Sequence, residues 1–258
     1  NIYYGDSENT YLPAAIHIEY ADGIDFTNCK INHIGSAALI YKIGTNNCNV
    51  IGNEVYDIAA GGIHIGHVNS SWRYGGDLRT DIYNFRVENN WVHHAAHSYR
   101  DGAGITIGYV SNSTFNHNEV GELPYSGYHV CWGWDGANVV GTGFRNVTID
   151  DNYIYNTMHG TKINDGAAIY TLGQTGGSLD NFNSIKGNYI RQSGMTSAAG
   201  GIYTDEGSSY WRVEDNVIDF YDVWKGPIAS KISYSNAWTT SISFIRFINT
   251  YTTANATE

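Results

Sequence analysis

The sequence predicts an all-β protein folded as a single-stranded, right-handed parallel β-helix of about seven to nine coils. Three observations lead to this prediction: a composition poor in helix-forming residues, a short motif built around asparagine that recurs along the chain, and a strand-like motif that recurs between its copies. A solenoid gives every repeat the same local pattern. We therefore expect residues 1–258 to form one β-helix domain.

The composition favours short strands and excludes several classes of partner. The chain has 30 Gly and 21 Tyr but only 14 Lys plus Arg. Helices favour Ala, Leu, Glu, Lys and Arg, whereas short strands joined by tight turns use aromatic residues, Gly, Asn and Ser. The net charge of −11 disfavours nucleic acid and anionic membranes, because both bind basic surfaces. No apolar run has the length of a membrane span.

The first repeated motif reads apolar-x-x-Asn-x-apolar and occurs seven times. In a solenoid, stacked asparagines hydrogen-bond from one coil to the next, and Asn tolerates the left-handed backbone of a sharp corner. A β-sandwich or a propeller is the alternative architecture, but neither explains an asparagine before an apolar residue in every repeat. The asparagines of the motif are Asn28, Asn53, Asn90, Asn118, Asn152, Asn188 and Asn216.

The second motif is a short strand that lies between the asparagines, at 38–41, 62–66, 104–108, 127–130, 168–171 and 201–204. Side chains alternate along a strand, so the middle residues of stacked strands should point away from the core and follow one another along the solenoid. They would form a polar and aromatic stripe on the surface. The alternative is that loops cover these residues and that they serve only in packing. The stripe residues are His64, Thr106, His129, Tyr170 and Tyr203.

Unequal spacing of the repeats predicts inserted loops beside the stripe. The longest insertions fall at about 67–84 and 131–145, with others near 94–103, 157–166 and 192–200. Repeat proteins place binding sites at such loops. Trp72, Trp132 and Trp134 lie in the two longest insertions, where their rings would stack on sugars or, alternatively, plug the loops. The basic residues of these loops are suited to orient substrate hydroxyls or to pair with acids; they are Arg73, Arg79, Arg100 and Lys162.

Acidic residues flank two of the strands. Asp165 precedes the strand at 168–171, while Asp205 and Glu206 follow the strand at 201–204. On adjacent coils, Asp165 and Asp205 would bracket one groove, and paired carboxylates are what glycoside hydrolysis requires. Aromatic surroundings and a neighbouring charge would raise one pKa and separate the two roles. The alternatives are turn formation by Asp before Gly and, for Asp205 with Glu206, a turn or a calcium ligand.

Asp101 shares the Asp-Gly-Ala-x-Ile pattern with Asp165 and should lie two coils from it. We expect Asp101, His64, His129, Tyr170 and Tyr203 to contact the substrate beside the tryptophans. Serine-hydrolase elbows, zincin motifs, Walker loops and Cys-x-x-Cys pairs do not occur in the sequence, and its dispersed histidines lack a metal-ligand spacing. We therefore expect no metal and no cofactor.

Glycosylation triplets indicate a secreted, extracellular glycoprotein. The odd number of cysteines allows at most one internal disulfide, for which Cys29 and Cys48 are the nearest pair. The first strand-like segment begins near Pro13 without a preceding cap, so we expect the first coil to be covered by another segment or chain, or to mediate self-association. The acceptor asparagines are Asn69, Asn112, Asn146 and Asn255.

Several blocks together resemble secreted, right-handed parallel β-helix glycosidases, in particular glycoside hydrolase family 141, the α-L-fucosidase and xylanase family. The most specific blocks are Asn164-Asp165-Gly166-Ala167-Ala168-Ile169-Tyr170-Thr171-Leu172-Gly173 and Ile202-Tyr203-Thr204-Asp205-Glu206-Gly207-Ser208-Ser209. Pro13-Ala14-Ala15-Ile16, Gly62-Ile63-His64-Ile65-Gly66, Leu123-Pro124-Tyr125-Ser126-Gly127 and Trp132-Gly133-Trp134 add to the resemblance.

The resemblance implies stacked coils and a catalytic acid pair at Asp165 and Asp205, with Glu206 as a further candidate. Family members are longer, which implies that this chain is a segment of a longer precursor. The sequence therefore predicts a glycosidase for a neutral or plant-type glycan. The alternatives are a carbohydrate-binding or assembly-forming β-helix without catalysis and, less favoured, a polysaccharide lyase or epimerase.

Overall fold

The computed structural model describes residues 13–66, 68, 79–131, 143–159, 163, 165–191, 200–219, 233–235 and 243–252. This part of the chain forms 24 short strands and contains no helix, and therefore none that is long and apolar enough to cross a membrane. The strands assemble into three parallel sheets of eight strands each, wound as a right-handed parallel β-helix. Eight coils each contribute one strand to every sheet, which confirms the predicted fold class.

The three sheets run side by side along the solenoid axis. Sheet 1 contains β1 (Ala14–Ile18), β4 (Ala37–Tyr41), β7 (Ile63–Ile65), β10 (Ile105–Ile107), β13 (Tyr128–Val130), β16 (Ile169–Thr171), β19 (Ile202–Thr204) and β22 (Ser233–Ser235). Sheet 2 contains β2 (Phe26–Thr27), β5 (Asn49–Ile51), β8 (Arg86–Glu88), β11 (Ser111–Asn116), β14 (Arg145–Asp150), β17 (Asn183–Lys186), β20 (Ser209–Glu214) and β23 (Ser243–Ile248). Sheet 3 contains β3 (Lys30–Ile34), β6 (Glu54–Ile58), β9 (Trp91–His93), β12 (Glu119–Gly121), β15 (Tyr153–Tyr155), β18 (Tyr189–Arg191), β21 (Val217–Asp219) and β24 (Tyr251–Thr252).

The core is a continuous stack of apolar side chains between the three sheets. Sheet 3 contributes one column of inward residues in which Val92, Val120, Ile154 and Ile190 follow one another in register. All four are fully buried and belong to a single cluster that runs along the solenoid. Parallel sheets covered on one face by such β-branched residues bury apolar area without any helix, and this burial is the main stabilising contribution to the fold.

An asparagine ladder supports the corner between sheets 2 and 3. Asn118 is typical: its Oδ1 accepts bonds from the backbone N–H and the side-chain amide of Asn90, at 3.0 and 2.9 Å. Its own amide donates to the Val87 carbonyl (2.9 Å) and to Asn152 Oδ1 (3.2 Å). The same pattern connects the asparagines from Asn53 to Asn216, all of them buried. The predicted polar ladder is therefore confirmed.

Two details of the ladder prediction are wrong. In the first coil the residue equivalent to Asn53 is Cys29, because the next residues, Lys30 and Glu54, are paired in register. The Cys29 N–H donates to Asn53 Oδ1 at 2.9 Å. Asn28 stands one position earlier and is not a ladder residue. That earlier position is also where the left-handed backbone occurs, with φ of 54° at Asn28 and 55° at Asn89. The left-handed backbone and the ladder hydrogen bonds thus belong to two successive residues and not to one asparagine.

The long connections lie at the two corners beside sheet 1. Strand bounds place 94–104 and 156–168 before sheet 1 strands, and 66–85 and 131–144 after them. The insertions predicted from the repeat spacing are therefore confirmed, but they border sheet 1 on both sides rather than at one corner. The tail adds one further coil, β22 to β24. Cys29, Cys48 and Cys131 are free thiols, so the structure contains no disulfide among them.

Candidate active site

The middle residues of the sheet 1 strands form the predicted stripe. His64 pairs with Thr106, Thr106 with His129, His129 with Tyr170, and Tyr170 with Tyr203, in one unbroken register. These side chains stand on the opposite face from the core isoleucines. All five are buried, however, and Tyr170 and Tyr203 form a separate apolar cluster with Val68, Ala167 and Leu172. The stripe is thus a covered layer beside sheet 1 and not an open surface.

Two stacked tyrosines connect the predicted acids. The rings of Tyr170 and Tyr203 are nearly parallel (16°), with centroids 4.4 Å apart. The Tyr170 hydroxyl donates to Asp205 Oδ2 at 2.5 Å, and the Tyr203 hydroxyl donates to Asp165 Oδ1 at 3.0 Å. Each tyrosine therefore bonds the acid that belongs to the neighbouring coil. This crossed arrangement holds both carboxylates against a single tyrosine stack.

Asp205 lies in a largely desolvated position. The residue is 5% exposed, and its Oδ1 atom has no hydrogen-bond partner within the described part of the chain. Burial raises the pKa of the Asp205 carboxyl, and the nearby charge of Asp165 raises it further, while the Tyr170 hydroxyl opposes the shift. The Asp205 carboxyl consequently retains its proton more readily than a free aspartic acid.

A tight turn follows Asp205 and orients it. The Ser208 N–H donates to the Asp205 carbonyl at 2.9 Å, and Gly207 adopts φ of 73°, which a residue with a side chain rarely adopts. The Asp205 N–H is held by the Thr171 carbonyl of the preceding coil at 2.9 Å. The partly buried Glu206 occupies the turn, and its carbonyl accepts the Gly173 N–H at 2.8 Å.

Asp165 occupies the opposite environment. It is exposed, and its backbone is left-handed, with φ of 64°. The Tyr125 hydroxyl donates to the Asp165 carbonyl at 2.5 Å. The next residue is Gly166, where an added Cβ would lie 2.4 Å from the Tyr125 ring and 2.6 Å from Met158 Sδ. Close packing therefore requires glycine at position 166, and the Asp165 carboxylate before it is exposed to solvent beside the Tyr203 hydroxyl.

Tyr125 is a site residue that the sequence analysis did not single out. Burial raises the pKa of its hydroxyl, and the negative charges of Asp165, Asp101 and Asp205 raise it further. Its ring meets His129 edge to face at 5.0 Å. The available signal was its position: Tyr125 enters sheet 1 on the coil between Asp101 and Asp165, where Leu-Pro-Tyr replaces the Asp-Gly-Ala pattern.

The remaining predicted residues divide into three groups. Asp101 is partly buried, and its charge acts on the Tyr125 hydroxyl. The histidines His64 and His129 are buried neutral groups, because desolvation lowers the pKa of His64 to about 4 and that of His129 to about 3. Trp72, Arg73, Trp132, Trp134 and Lys162 lie outside the described residues.

Two of the predicted glycosylation asparagines are exposed and contact each other. The Asn146 amide donates to Asn112 Oδ1 at 2.9 Å, on the outer face of sheet 2. Asn69 and Asn255 lie outside the described residues. Across the ranges that the structure describes, no three His, Cys, Asp or Glu side chains are grouped so as to hold a metal ion.

Comparison with known proteins places the fold among glycoside hydrolases. No protein-family model and no curated protein sequence matches the chain. A solved structure named "Glycoside hydrolase" is similar over 92% of this chain, with 26% identity and a TM-score of 0.73. The Streptococcus pneumoniae surface protein and adhesin PfbA matches over 92% of this chain and 67% of its own length, with 10% identity and a TM-score of 0.33, too low to carry an argument. The chain spans 38% of the glycoside hydrolase's length, and over that length it has a glycoside hydrolase-like fold.

Proposed function

We propose that this chain is the catalytic β-helix of a secreted glycoside hydrolase, in which Asp165 and Asp205 are the two catalytic carboxyl groups. One observation supports this assignment more than any other. The crossed tyrosine bonds hold a buried carboxyl and an exposed carboxylate on the same stack. Glycoside hydrolysis needs such a pair, with one group protonated and the other ionised.

The two environments assign the roles. Asp205 is the proton donor, because its burial favours the neutral carboxyl at a pH where free aspartate is ionised. Asp165 is the ionised partner, exposed to solvent and stabilised by the Tyr203 hydroxyl. It acts either as the nucleophile or as the base that activates water. Glu206 remains the alternative to Asp205, one residue further along the turn.

The proposed substrate is a neutral or plant-type glycan. The net charge of −11 repels polyanionic glycans at long range, and the site is built of tyrosines, histidines and aspartates that bond hydroxyls. Secretion, glycosylation at Asn112 or Asn146, and a substrate contact by Asp101 are part of the same proposal, whereas the buried His64 and His129 support the layer beneath the site. Secretion, glycosylation and the Asp101 contact rest on the sequence patterns described above.

Leaving-group dependence tests the two roles separately. Asp205→Asn should lose about 10²–10⁴ in kcat/KM on natural glycans but much less on dinitrophenyl glycosides, whose leaving group needs no proton. Asp165→Asn should lose activity on both, with azide restoring turnover if Asp165 is the nucleophile. Asp151→Asn is the matched control, because Asp151 is also an exposed aspartate with a left-handed backbone (φ 56°), at another corner. Full activity in both active-site variants would refute the assignment, and loss in Glu206→Gln alone would transfer the role to Glu206.

A carbohydrate-binding or structural, assembly-forming β-helix without catalysis is the second candidate. It is favoured by the burial of the stripe, because Tyr170 and Tyr203 are covered as they would be in a structural layer. Binding of oligosaccharides without any product release, in the unaltered protein, would support this candidate over the hydrolase.

A further inference from the structure

The corner between sheets 3 and 1 contains two adjoining cavities outside the acid pair. One, of about 370 Å³, is lined by residues that include Arg100, Glu122 and Pro124. The other, of about 420 Å³, is lined by residues that include His33 and Tyr99. Asp57 and His97 line both cavities, so the two form one groove. Each volume falls within the roughly 300–1,000 Å³ typical of small-molecule sites.

The groove crosses five successive coils. His33 lies in β3 and Asp57 in β6, while His94, Glu122 and His159 follow β9, β12 and β15. Coils of a parallel β-helix are about 4.8 Å apart, so the groove extends about 20 Å along the solenoid axis. Asp165 enters the next coil at the same corner. His159, which lines the groove at the last of these coils, and Asp165 lie on the same connection between β15 and β16.

The same turns build the groove and the site. Arg100 immediately precedes Asp101, and Pro124 immediately precedes Tyr125. The His159 N–H donates to the Leu123 carbonyl at 3.2 Å, and the neighbouring Met158 N–H donates to the Tyr125 carbonyl at 2.8 Å. A ligand seated in the groove thus lies against the backbone that positions Tyr125. This continuity distinguishes the groove from an isolated surface depression.

The chemistry of the groove suits a chain of hydroxyl groups. The His33 imidazole bonds one oxygen of Asp57, and His97 Nε2 lies 3.4 Å from the other. The Asn156 amide donates to Glu122 Oε1 at 2.7 Å. The Asp57 carboxylate and both imidazoles remain solvent-accessible, with 48% of the Asp57 side chain exposed. Opposite charges are interspersed, so neither a polyanion nor a polycation is favoured.

We infer that this groove binds the sugar units on one side of the cleaved bond, so that the substrate is a neutral oligo- or polysaccharide chain lying along the solenoid axis. The inference rests on the proposed function, because a bond is cleaved only if the protein is a glycoside hydrolase. Binding to the groove can nevertheless be measured without catalysis. A chain-binding groove predicts affinity that increases with ligand length, which a site for a single terminal sugar would not show.

The test measures binding of cello- and xylo-oligosaccharides of two to six units to the Asp165→Asn protein by calorimetry. Affinity should increase with length, and adding Asp57→Asn or His97→Asn should weaken binding of the longest ligand about tenfold, the effect of losing one or two hydrogen bonds. Asp151→Asn and His117→Asn are the matched controls, because both residues are exposed on turns between sheets 2 and 3. Circular dichroism checks that every variant folds.

The outcomes separate the inference from the proposed function. Suppose that binding increases with oligosaccharide length, that the groove variants weaken it, and that the unaltered protein hydrolyses no glycan. This result would support the groove as a binding site and refute the proposed hydrolase. Suppose instead that the protein hydrolyses an aryl monosaccharide while the groove variants bind oligosaccharides of every length as tightly as the parent does. This result would refute the role of the groove and would not contradict the proposed hydrolase. Absence of binding for both oligosaccharide series would also overturn the inference.

Discussion

Removing one asparagine from the middle of the ladder should destabilise the whole solenoid. Asn118→Ala deletes the acceptor of the Asn90 backbone N–H, which is buried and then has no partner from the ladder. The substitution also takes one bond each from the Asn90 amide, the Val87 carbonyl and Asn152 Oδ1. The side chain of Asn118 lies at the interface of three coils, so its loss affects neighbours on both sides.

The expected loss is about 2.5–7.5 kcal/mol, from one stranded buried group and three further lost hydrogen bonds. A stranded buried backbone group costs roughly 1–3 kcal/mol, and each further lost hydrogen bond contributes about 0.5–1.5 kcal/mol. Folded domains are stable by only about 5–15 kcal/mol, so the variant should lose a large fraction of its stability. Asn118 lies between β11 and β12, outside both strands, so the effect reports the side-chain bonds and not strand propensity.

Urea unfolding followed by tyrosine and tryptophan fluorescence measures the loss, provided that the slope with denaturant is unchanged. Asn49→Ala is the matched control: its amide bonds the exposed carboxylate of Asp25 at 3.0 Å, so its removal should cost less than about 1 kcal/mol. If Asn118→Ala and Asn49→Ala lose the same small amount, the ladder does not carry the stability that its geometry indicates.

Two further predictions concern pH. The folded-state pKa of Asp205 is raised, so ionisation of its carboxyl lowers the stability of the fold above the unfolded pKa of about 3.9. Asp205→Asn should therefore be more stable than the parent at pH 7, and the gain should vanish near pH 4. A variant that is less stable than the parent at pH 7 would contradict this expectation. The pKa of His64 is lowered chiefly by burial to about 4 and that of His129 to about 3, so the unfolded chain gains protons below pH 6.5 while the fold does not. Stability should decline as pH falls from 6.5 to 4, by roughly 3 kcal/mol for His64 alone, and the double variant His64→Gln with His129→Gln should show a flatter decline in urea titrations.

The repeat and the stripe were predictable because they depend on local pattern. Parallel strands in successive coils pair in a constant register, so equivalent positions in the motif must stack. His129, Tyr170 and Tyr203 therefore fell in line as expected. The one register error, at Asn28, arose where the first coil has Cys29 in the ladder position. A search for the asparagine motif selects Asn28 there, because it cannot detect that a cysteine occupies the ladder position.

The site was predictable only in outline. The pairing of Asp165 with Asp205 followed from their places at the two ends of adjacent strands. The crossing of the bonds did not, because it depends on which carboxylate each tyrosine hydroxyl reaches across the stack. Tyr125 was missed for the same reason: its hydroxyl meets the Asp165 carbonyl only when two turns of different length fold over one another.

The sequence by itself determined the all-β class, the solenoid, the asparagine ladder and the order of residues along the stripe, since each depends on spacing within one repeat. Only the tertiary structure decided that the stripe is covered, that Asp205 is buried while Asp165 is exposed, and that a groove follows the corner from β3 to the connection after β15. The physical reason is that desolvation and side-chain contact depend on how turns from different coils pack together, which the spacing of residues along the chain does not specify.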